Sequence, residues 1–355
     1  MLIKDTSLKC VFVPYDSGNP YQDELAMGLE AENIDVVKEK NLASLFKCLF
    51  IPRNLPDILH LHWLPMVGLR PLNFIRSLLF IFRLLILKMC GLKLIWTAHN
   101  LIPHETRHPK ADKIFRSIIG KIVHKVIAHG ETAREQLVSK LGICSTKIAI
   151  VPHGSYIGVY QNKVSNIEAK KKLEIEKSKL VMLFLGNIRP YKGTLDLIRE
   201  FKAAGFNESD VCLIIAGRTL NSEYSDKVIS EIGDSTNIEY RPGFVPDNMV
   251  SVYMSAADIV VFPYKQILSS GSVLLAMSFG KSCIAPAIGC LKDILSSDGA
   301  FLYSNSEPDG LRQALVAAFH NRKQLEKMGI VNLERATSWS WLNIAKQTAE
   351  VYTRC

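Results

Sequence analysis

The sequence predicts an α/β protein made of two doubly wound parallel-sheet domains that face each other across a cleft. The chain has 355 residues, too many for one ordinary core and enough for two domains of roughly 150 to 200 residues. Short apolar segments alternate with helical patterns, which is typical of parallel sheets covered by helices on both faces. The alternation restarts in the second half, after a polar and charged segment at 161–179.

Each half supplies its own set of strands and helices. In the first half, strands are predicted at 10–13, 58–62, 94–98, 126–128 and 148–151, with helices at 21–31, 110–124 and 131–141. In the second half, strands are predicted at 180–185, 212–216, 238–240, 259–262, 283–285 and 301–303, with helices at 194–204, 247–255, 272–279, 307–320 and 325–337.

The domain boundaries follow from the polar segment. Ser165 and Asn166 predict the cap of a helix at 167–173, and no apolar strand occurs nearby. We therefore expect an N-terminal domain at 1–160 and a C-terminal domain at 161–338. The last segment, 339–355, is a helix with no strand after it, which predicts that it crosses back to the N-terminal domain.

Composition and charge exclude disorder and indicate an anionic partner. The hydrophobic fraction is 48%, the charged fraction is 22% and the net charge is +9. Nucleic acid, acidic lipid and a phosphorylated substrate all fit such a charge. The eight cysteines are scattered and include no C-x-x-C pair, which indicates reduced thiols in a cytosolic protein.

One long apolar stretch, at 72–92, raises the question of a membrane. It contains Arg76, Arg83 and Lys88, and charges are costly inside a spanning helix. A core helix and an interfacial helix against anionic lipid both remain open. We expect no signal peptide, because no apolar segment precedes the first strand.

Two loops in the second half have the pattern of anion sites. The first, GNIRPYKG at 186–193, joins a strand to a helix and offers Gly186, Arg189, Lys192 and Gly193. Helix N-termini next to glycine present free N–H groups to phosphate, and the cations add to this attraction. A solvated surface turn is the alternative interpretation.

The second loop, SSGS at 269–272, also lies between a strand and a helix. We expect Ser269, Ser270 and Ser272 to cap the helix and Gly271 to admit a ligand close to the backbone. Together the two loops predict a diphosphate held from two sides, whereas a simple N-cap is the alternative for this loop.

The loops of the first half offer acid–base groups. Histidines occur at 60, 62, 99, 104 and 108, and Glu105 adjoins His104. These groups suit proton transfer and sugar binding. Asp16 and Asn19 lie in the loop after the first strand. This loop could contact a substrate, and a plain turn is an equal alternative. His104 and His108 have the H-x-x-x-H spacing of a zinc site, but they fall in a loop and not on a helix, so no metal is expected.

Three segments together resemble one family. VPHG at 151–154, GNIRPYKG at 186–193 and ADIVVFP at 257–263 are similar to the bacterial group-1, family-4-like glycosyltransferases. The resemblance extends over nearly the whole chain and implies the GT-B fold, which consists of two Rossmann-like domains. It also implies that His99 contacts the donor sugar or its diphosphate.

The sequence departs from that family at two important positions. Retaining members carry paired glutamates where this chain has Ile267 and Leu275. Asn187 stands where an arginine is common in the family, and we expect Arg189 to take the place of that arginine. The altered pattern resembles a subgroup in exopolysaccharide and surface-polysaccharide pathways that includes β-mannosyltransferases acting on polyprenyl-diphosphate oligosaccharides. This resemblance implies an inverting hexosyl transfer.

The resemblance therefore implies a bacterial hexosyltransferase of exopolysaccharide, O-antigen or lipopolysaccharide synthesis. Its donor would be GDP-mannose or a UDP-hexose, and its acceptor a lipid-linked oligosaccharide. We expect Glu105, His104 or Asp16 as the general base, no metal or other cofactor, no nucleic-acid partner, and a cytoplasmic position on the inner face of the membrane. The alternatives are a retaining family-4 enzyme with a changed site, a nucleotide-sugar epimerase, a non-catalytic sugar-binding subunit and a basic nucleic-acid-binding protein.

Overall fold

The computed structural model describes residues 7–45, 55–68, 70–160 and 164–355. The start of the chain, where we predicted no signal peptide, lies outside these ranges. Cys48 and residues 161–163 of the polar segment also lie outside them. The chain divides into two compact units. Unit 1 comprises Met1–Gly154 and Trp339–Cys355, and unit 2 comprises Ser155–Ser338.

Unit 1 contains a six-stranded parallel sheet. Its strands are β1 (Leu8–Val13), β2 (Ile34–Lys38), β3 (Ile58–Leu61), β4 (Lys93–Thr97), β5 (Lys125–Ala128) and β6 (Ile148–Ile150), in the order β2-β1-β3-β4-β5-β6. Its helices are α1 (Pro20–Glu30), α2 (Pro71–Met89), α3 (Pro109–Ile122), α4 (Glu131–Leu141) and α13 (Trp341–Thr353). Strand β2 escaped prediction because it is an edge strand in which only Ile34 is buried.

Helix α13 completes the core of unit 1. It packs on α1 at Gly28, where a Cβ would lie 2.6 Å from Ala345 Cβ, so only glycine permits the contact. Trp341 and Tyr352 join the same buried cluster as Phe12 of β1. The boundary after Gly154 lies N-terminal to the predicted 160/161. The boundary falls after Gly154 because this residue packs against the ring of Trp341, which belongs to α13 of unit 1.

Unit 2 contains a second six-stranded parallel sheet. Its strands are β7 (Leu180–Leu185), β8 (Val211–Gly217), β9 (Ile238–Pro242), β10 (Ile259–Val261), β11 (Ser282–Pro286) and β12 (Ala300–Tyr303), in the order β12-β11-β10-β7-β8-β9. Its helices are α5 (Asn166–Lys172), α6 (Thr194–Ala203), α7 (Ser222–Ile232), α8 (Asp247–Ala256), α9 (Gly271–Ser278), α10 (Leu291–Ile294), α11 (Gly310–His320) and α12 (Leu325–Thr337). The predicted cap at Ser165 is confirmed, and it forms a capping box with Glu168.

Both sheets confirm the predicted fold class of two Rossmann-like, doubly wound domains. Strands β7 and β8 are buried along their whole length, as expected for parallel strands covered on both faces. Helix α2 is different, because only Ser77, Leu84 and Leu87 are buried in it. The core interpretation of the 72–92 stretch is therefore wrong for most of its apolar side chains. No helix among the described residues is both long and apolar enough to cross a bilayer.

Candidate active site

In unit 2, the glycines of the 186–193 loop bring two loops together. Gly193 has φ +72°, and a Cβ there would lie 1.9 Å from the carbonyl oxygen of Pro263, so no other residue fits without displacement. The Lys265 amide donates to the Tyr191 carbonyl at 2.9 Å. The loop after β7 therefore rests on the loop after β10, at the carboxyl ends of two paired strands.

Lys192 lies at the centre of this junction. Its side chain is 9% exposed, and its Nζ lies 5.6 Å from the centre of the Tyr264 ring. A Cβ built on Gly186 would lie 3.4 Å from Lys192 Nζ and 3.6 Å from Ser272 Oγ. The bare backbone of Gly186 thus leaves a gap next to an ammonium group and a hydroxyl.

The charge of Lys192 is not balanced by any carboxylate of the described residues. Burial lowers the pKa of its ammonium; Tyr191 opposes this shift and the neighbouring Arg189 adds to it. A buried cation without a counter-charge is costly. An anionic ligand beside Gly186 would remove that cost.

The start of α9 faces the same residues. Ser270 is the N-cap residue, but its side chain does not cap the helix, so the predicted capping role is wrong. Its hydroxyl lies instead 3.3 Å from the hydroxyl of Tyr264, and burial raises the pKa of Tyr264 to about 12. Because no side chain caps α9, its first N–H groups, beginning at Gly271, remain available to a ligand.

Arg189 and Ser269 stand at the edges of this site. Arg189 Nη1 lies 3.2 Å from the carbonyl oxygen of Ile188 and 3.3 Å from that of Arg218. It therefore braces the loops after β7 and β8. Ser269 is half-buried in the loop before α9. The fold brings together several predicted residues around Tyr264, namely Lys192, Ser270 and Ser272, with Gly186 beside them.

In unit 1, histidines line the carboxyl edge of the sheet, and all of them except the half-buried His153 are buried. His62 follows β3 directly, His99 follows β4, His129 follows β5, and His153 follows β6. His60 within β3 stacks on His62, with ring centres 4.3 Å apart. Sequence analysis named His153 only within the VPHG segment, without a chemical role, and missed His129. The recurrence of a histidine after each of four successive strands was the signal that could have found them.

Burial keeps these imidazoles neutral. It lowers the pKa of His60 and of His153 to about 3 and that of His129 to about 4. It also lowers the pKa of His62 and His99 well below the ordinary range, with neighbouring histidines adding to the shift. At neutral pH each ring therefore has one N–H donor and one bare acceptor nitrogen.

Three of these rings form a directional chain. The Val151 carbonyl can only accept, so His129 Nδ1 donates to it at 3.0 Å. The bare Nε2 of His129 then accepts from His99 Nδ1 at 3.3 Å, and His99 Nε2 accepts from His62 Nδ1 at 3.4 Å. His62 Nε2 is left bare and buried, without a hydrogen-bond partner among the described residues.

A cavity of about 200 Å³ adjoins the end of this chain. Its lining includes His62, His99, Asn100 and Trp63. Trp63 stacks on His99 with ring centres 4.9 Å apart and an interplanar angle of 18°. An aromatic face, an amide and a bare imidazole nitrogen are groups that recognise a sugar and its hydroxyls. No group of these or other described residues has the arrangement of a metal site.

The predicted general bases lie apart from this chain. Asp16 is exposed and its carboxylate accepts from the Gly18 amide at 3.1 Å. Asn19 caps α1. Glu105 is exposed and lines a different cavity, together with His108. His104 is half-buried in the same loop as Glu105.

Comparisons with known proteins agree with this architecture. Residues 165–333 match the family described as glycosyl transferases group 1. The chain is 26% identical over 259 residues to the GDP-mannose:glycolipid 4-beta-D-mannosyltransferase of Xanthomonas campestris pv. campestris, covering 70% of this chain and 67% of that protein. It is 29% identical over 219 residues to the lipopolysaccharide 1,2-N-acetylglucosaminetransferase of Salmonella typhimurium, covering 57% and 55%. The chain thus spans about two thirds or less of these relatives' lengths.

Solved structures show the same fold. Sucrose-phosphate synthase from Thermosynechococcus elongatus superposes with a TM-score of 0.78 at 14% identity, covering 98% of both chains. Anabaena Alr3699/HepE in complex with UDP-glucose superposes with a TM-score of 0.74 at 16% identity, covering 98% of this chain and 100% of that one. The fold is therefore GT-B.

The match at 165–333 lies within unit 2, and the whole chain has the GT-B fold. The family match and the relatives named as glycosyltransferases together support a transferase.

Proposed function

We propose that the protein transfers a hexose from a nucleotide sugar to a lipid-linked oligosaccharide during surface-polysaccharide synthesis. The donor would be GDP-mannose or a UDP-hexose, and the product would enter an exopolysaccharide, O-antigen or lipopolysaccharide. The observation that carries this proposal is the buried Lys192, which lacks a counter-charge beside Gly186 and Ser272. Relatives named for a glycolipid and for lipopolysaccharide support the acceptor class.

The departing nucleoside diphosphate accounts for the unit 2 geometry. Negative charge develops on the diphosphate as the bond to the sugar breaks. The ammonium of Lys192, the hydroxyl of Ser272 and the N–H groups at the start of α9 would stabilise that charge, and they are held in place before the reaction. This assignment requires no metal ion, because cations and backbone amides already supply positive potential.

An inverting transfer fits the apolar side chains at Ile267 and Leu275. With no carboxylate at either position, we propose direct attack by the acceptor hydroxyl on the anomeric carbon. A general base must take the hydroxyl proton. Glu105, His104 and Asp16 remain our sequence-based candidates. The histidine chain adds His62, whose bare Nε2 can accept a hydrogen bond from a sugar hydroxyl. Because burial lowers its pKa, His62 is suited to orienting that hydroxyl and not to taking its proton.

The surface of α2 supports a position at a membrane. Its outward side chains are large and apolar, with Leu72 72%, Phe82 58% and Met89 79% exposed. The helix also carries Arg76, Arg83 and Lys88 and no acidic residue. An apolar face with basic flanks is suited to the interface of an anionic membrane. We propose peripheral attachment to the inner face of the cytoplasmic membrane, where a lipid-linked acceptor would be held.

Donor binding and transfer can be tested with one substitution and a matched control. Lys192→Ala should reduce transfer from nucleotide sugar to membrane extract by roughly 100-fold or more, and should abolish the rise in melting temperature caused by GDP or UDP. The control Lys227→Ala removes an exposed lysine of α7 that is paired with Glu223, and it should retain both. Wild-type-like transfer by a folded Lys192→Ala protein would refute the proposed diphosphate site.

A further inference from the structure

Unit 1 contains a positively charged cavity that is separate from the histidine chain. It has a volume of about 640 Å³ and lies between α2 and the 105–108 loop. Four arginines line it, against one carboxylate, that of Glu105. The arginines are Arg70, Arg76, Arg83 and Arg107. No other cavity described in the molecule has this excess of arginine.

The arginines of this cavity are largely without counter-charges. No carboxylate of the described residues forms an ion pair with Arg70, Arg76 or Arg107, although Arg76 makes a 3.4 Å hydrogen bond to the Asn73 side chain. Arginine presents a planar set of N–H donors that matches phosphate oxygens in pairs. The chemistry of the cavity therefore suits a ligand with one or two phosphate groups.

A buried carboxylate holds both walls of the cavity in place. Asp112 is fully buried and accepts from the Val67 amide at 3.0 Å and from Arg116 Nη1 at 2.9 Å. Its second oxygen accepts from the Thr106 hydroxyl, which in turn accepts from the His108 amide at 3.0 Å. The walls at 65–68 and 105–108 are thereby tied to one point, so the backbone that carries Arg107 is held in place beside α2.

The arginine cavity connects two other features of unit 1. Arg76, Phe80 and Arg83 also line an adjoining, more apolar cavity of about 800 Å³. That cavity reaches Trp63, which in turn lines the histidine cavity. On the other side, Arg76 and Arg83 belong to α2, whose outer face exposes Leu78 and Phe82. Shared lining residues thus place an apolar helix surface, the arginine cavity and the histidine cavity next to one another.

We infer that the arginine cavity binds the diphosphate of a lipid-linked acceptor. Its lipid would lie along α2 and its sugars along the cavity that leads to Trp63. This inference rests on the proposed function and assigns the acceptor's anchoring group to named residues. Glu105 then acts as a counter-charge that separates the arginines. The acceptor hydroxyl, several sugars away from the diphosphate, lies at the histidine end of the path.

Binding of a short polyprenyl diphosphate in detergent, measured by calorimetry, tests the site. The variant Arg70→Gln/Arg107→Gln should weaken this binding roughly 10- to 100-fold, since each arginine contributes charge-assisted hydrogen bonds to phosphate. The matched control is Arg134→Gln/Lys140→Gln, which removes the same charge from α4 and should bind like wild type. The corresponding polyprenol, which lacks phosphate, should bind weakly to all three proteins.

The outcomes separate this inference from its rivals. Equal binding by wild type and by the arginine variant, or equal weakening in the α4 control, would overturn it. If binding to phosphatidylglycerol vesicles falls as much as binding to the diphosphate, the site is a general phospholipid contact and the inference fails. Nucleotide binding, measured by thermal shift, should be unchanged in the arginine variant. A wild-type protein that binds polyprenyl diphosphate but no nucleotide would refute the proposed function instead.

Discussion

The two units place opposite kinds of chemistry at the carboxyl edges of similar sheets. In unit 2, glycine backbone and a buried lysine create positive potential around Tyr264. In unit 1, the equivalent edge of the sheet is lined with imidazoles that burial keeps neutral. A positive edge suits a diphosphate, whereas a neutral, hydrogen-bonding edge suits hydroxyl groups. The difference teaches that one sheet topology can present either a positive or a neutral edge, depending on the residues that follow its strands.

The largest predicted effect is acid destabilisation of unit 1. The folded-state pKa values of His60, His129 and His153 lie at about 3 to 4, well below the ordinary value near 6.5. Above about pH 6.5 both states are neutral, so stability is unaffected. Below it, the unfolded chain takes up protons that the folded chain refuses, and each histidine costs about 1.4 kcal/mol per pH unit.

Tryptophan fluorescence can isolate this effect. The four tryptophans, Trp63, Trp96, Trp339 and Trp341, all belong to unit 1. We expect their urea unfolding midpoint to fall steeply between about pH 7 and about pH 5. A His320→Gln control, which changes an exposed histidine of unit 2, should follow the same pH curve as wild type. A midpoint that does not change across this range would mean that the histidine cluster is protonated or hydrated. It would contradict the neutral edge that we assign to unit 1.

The next prediction concerns the end of the histidine chain. His62→Phe keeps an aromatic ring among Phe12, Tyr21 and Trp63 but removes the bare nitrogen. If this nitrogen orients the acceptor hydroxyl by accepting its hydrogen bond, turnover should fall roughly 100-fold. Affinity for the nucleotide should stay unchanged, because the diphosphate site belongs to unit 2. Steady-state kinetics together with nucleotide titration would measure both quantities.

A parallel substitution tests Glu105 as the base. Glu105→Gln should preserve turnover if Glu105 is a counter-charge in the arginine cavity. If Glu105→Gln is inactive while His62→Phe is fully active, Glu105 is the base and the orienting role of His62 is wrong. Either result sharpens the comparison, because it determines whether the neutral edge of unit 1 takes part in the reaction.

Local signals in the sequence predicted unit 2 better than unit 1. The loop at 186–193 could be singled out because glycine spacing and adjacent cations are short-range features, as with Gly193 and Lys192; its binding of phosphate stays a prediction. The histidine chain depends on the register of β3 to β6, which aligns residues that are far apart in the sequence. The capping prediction for Ser270 failed because a competing hydroxyl, that of Tyr264, approaches from another part of the loop. Asp112 gave no signal, since its partners come from separate loops.

The smallest predicted effect concerns the surfaces of the two units. Exposed apolar residues in unit 2 are scattered, such as Ile229 of α7 and Ile330 of α12, whereas those of unit 1 are concentrated on α2. We expect the protein to float with vesicles that contain phosphatidylglycerol and less with pure phosphatidylcholine, because the basic residues of α2 attract anionic lipid. Leu78→Glu/Phe82→Glu should reduce flotation several-fold through lost burial and charge repulsion.

The matched control for this surface is Ile229→Glu/Ile330→Glu. It exchanges the same number of exposed apolar side chains for carboxylates on α7 and α12, so any general effect of negative charge would affect both variants. Flotation that falls only in the α2 variant would locate membrane contact on the unit that contains the arginine cavity. Equal flotation by both variants would mean that α2 does not insert into lipid. The acceptor would then have to leave the membrane to reach the histidine edge, which a polyprenyl chain resists because of its large apolar area.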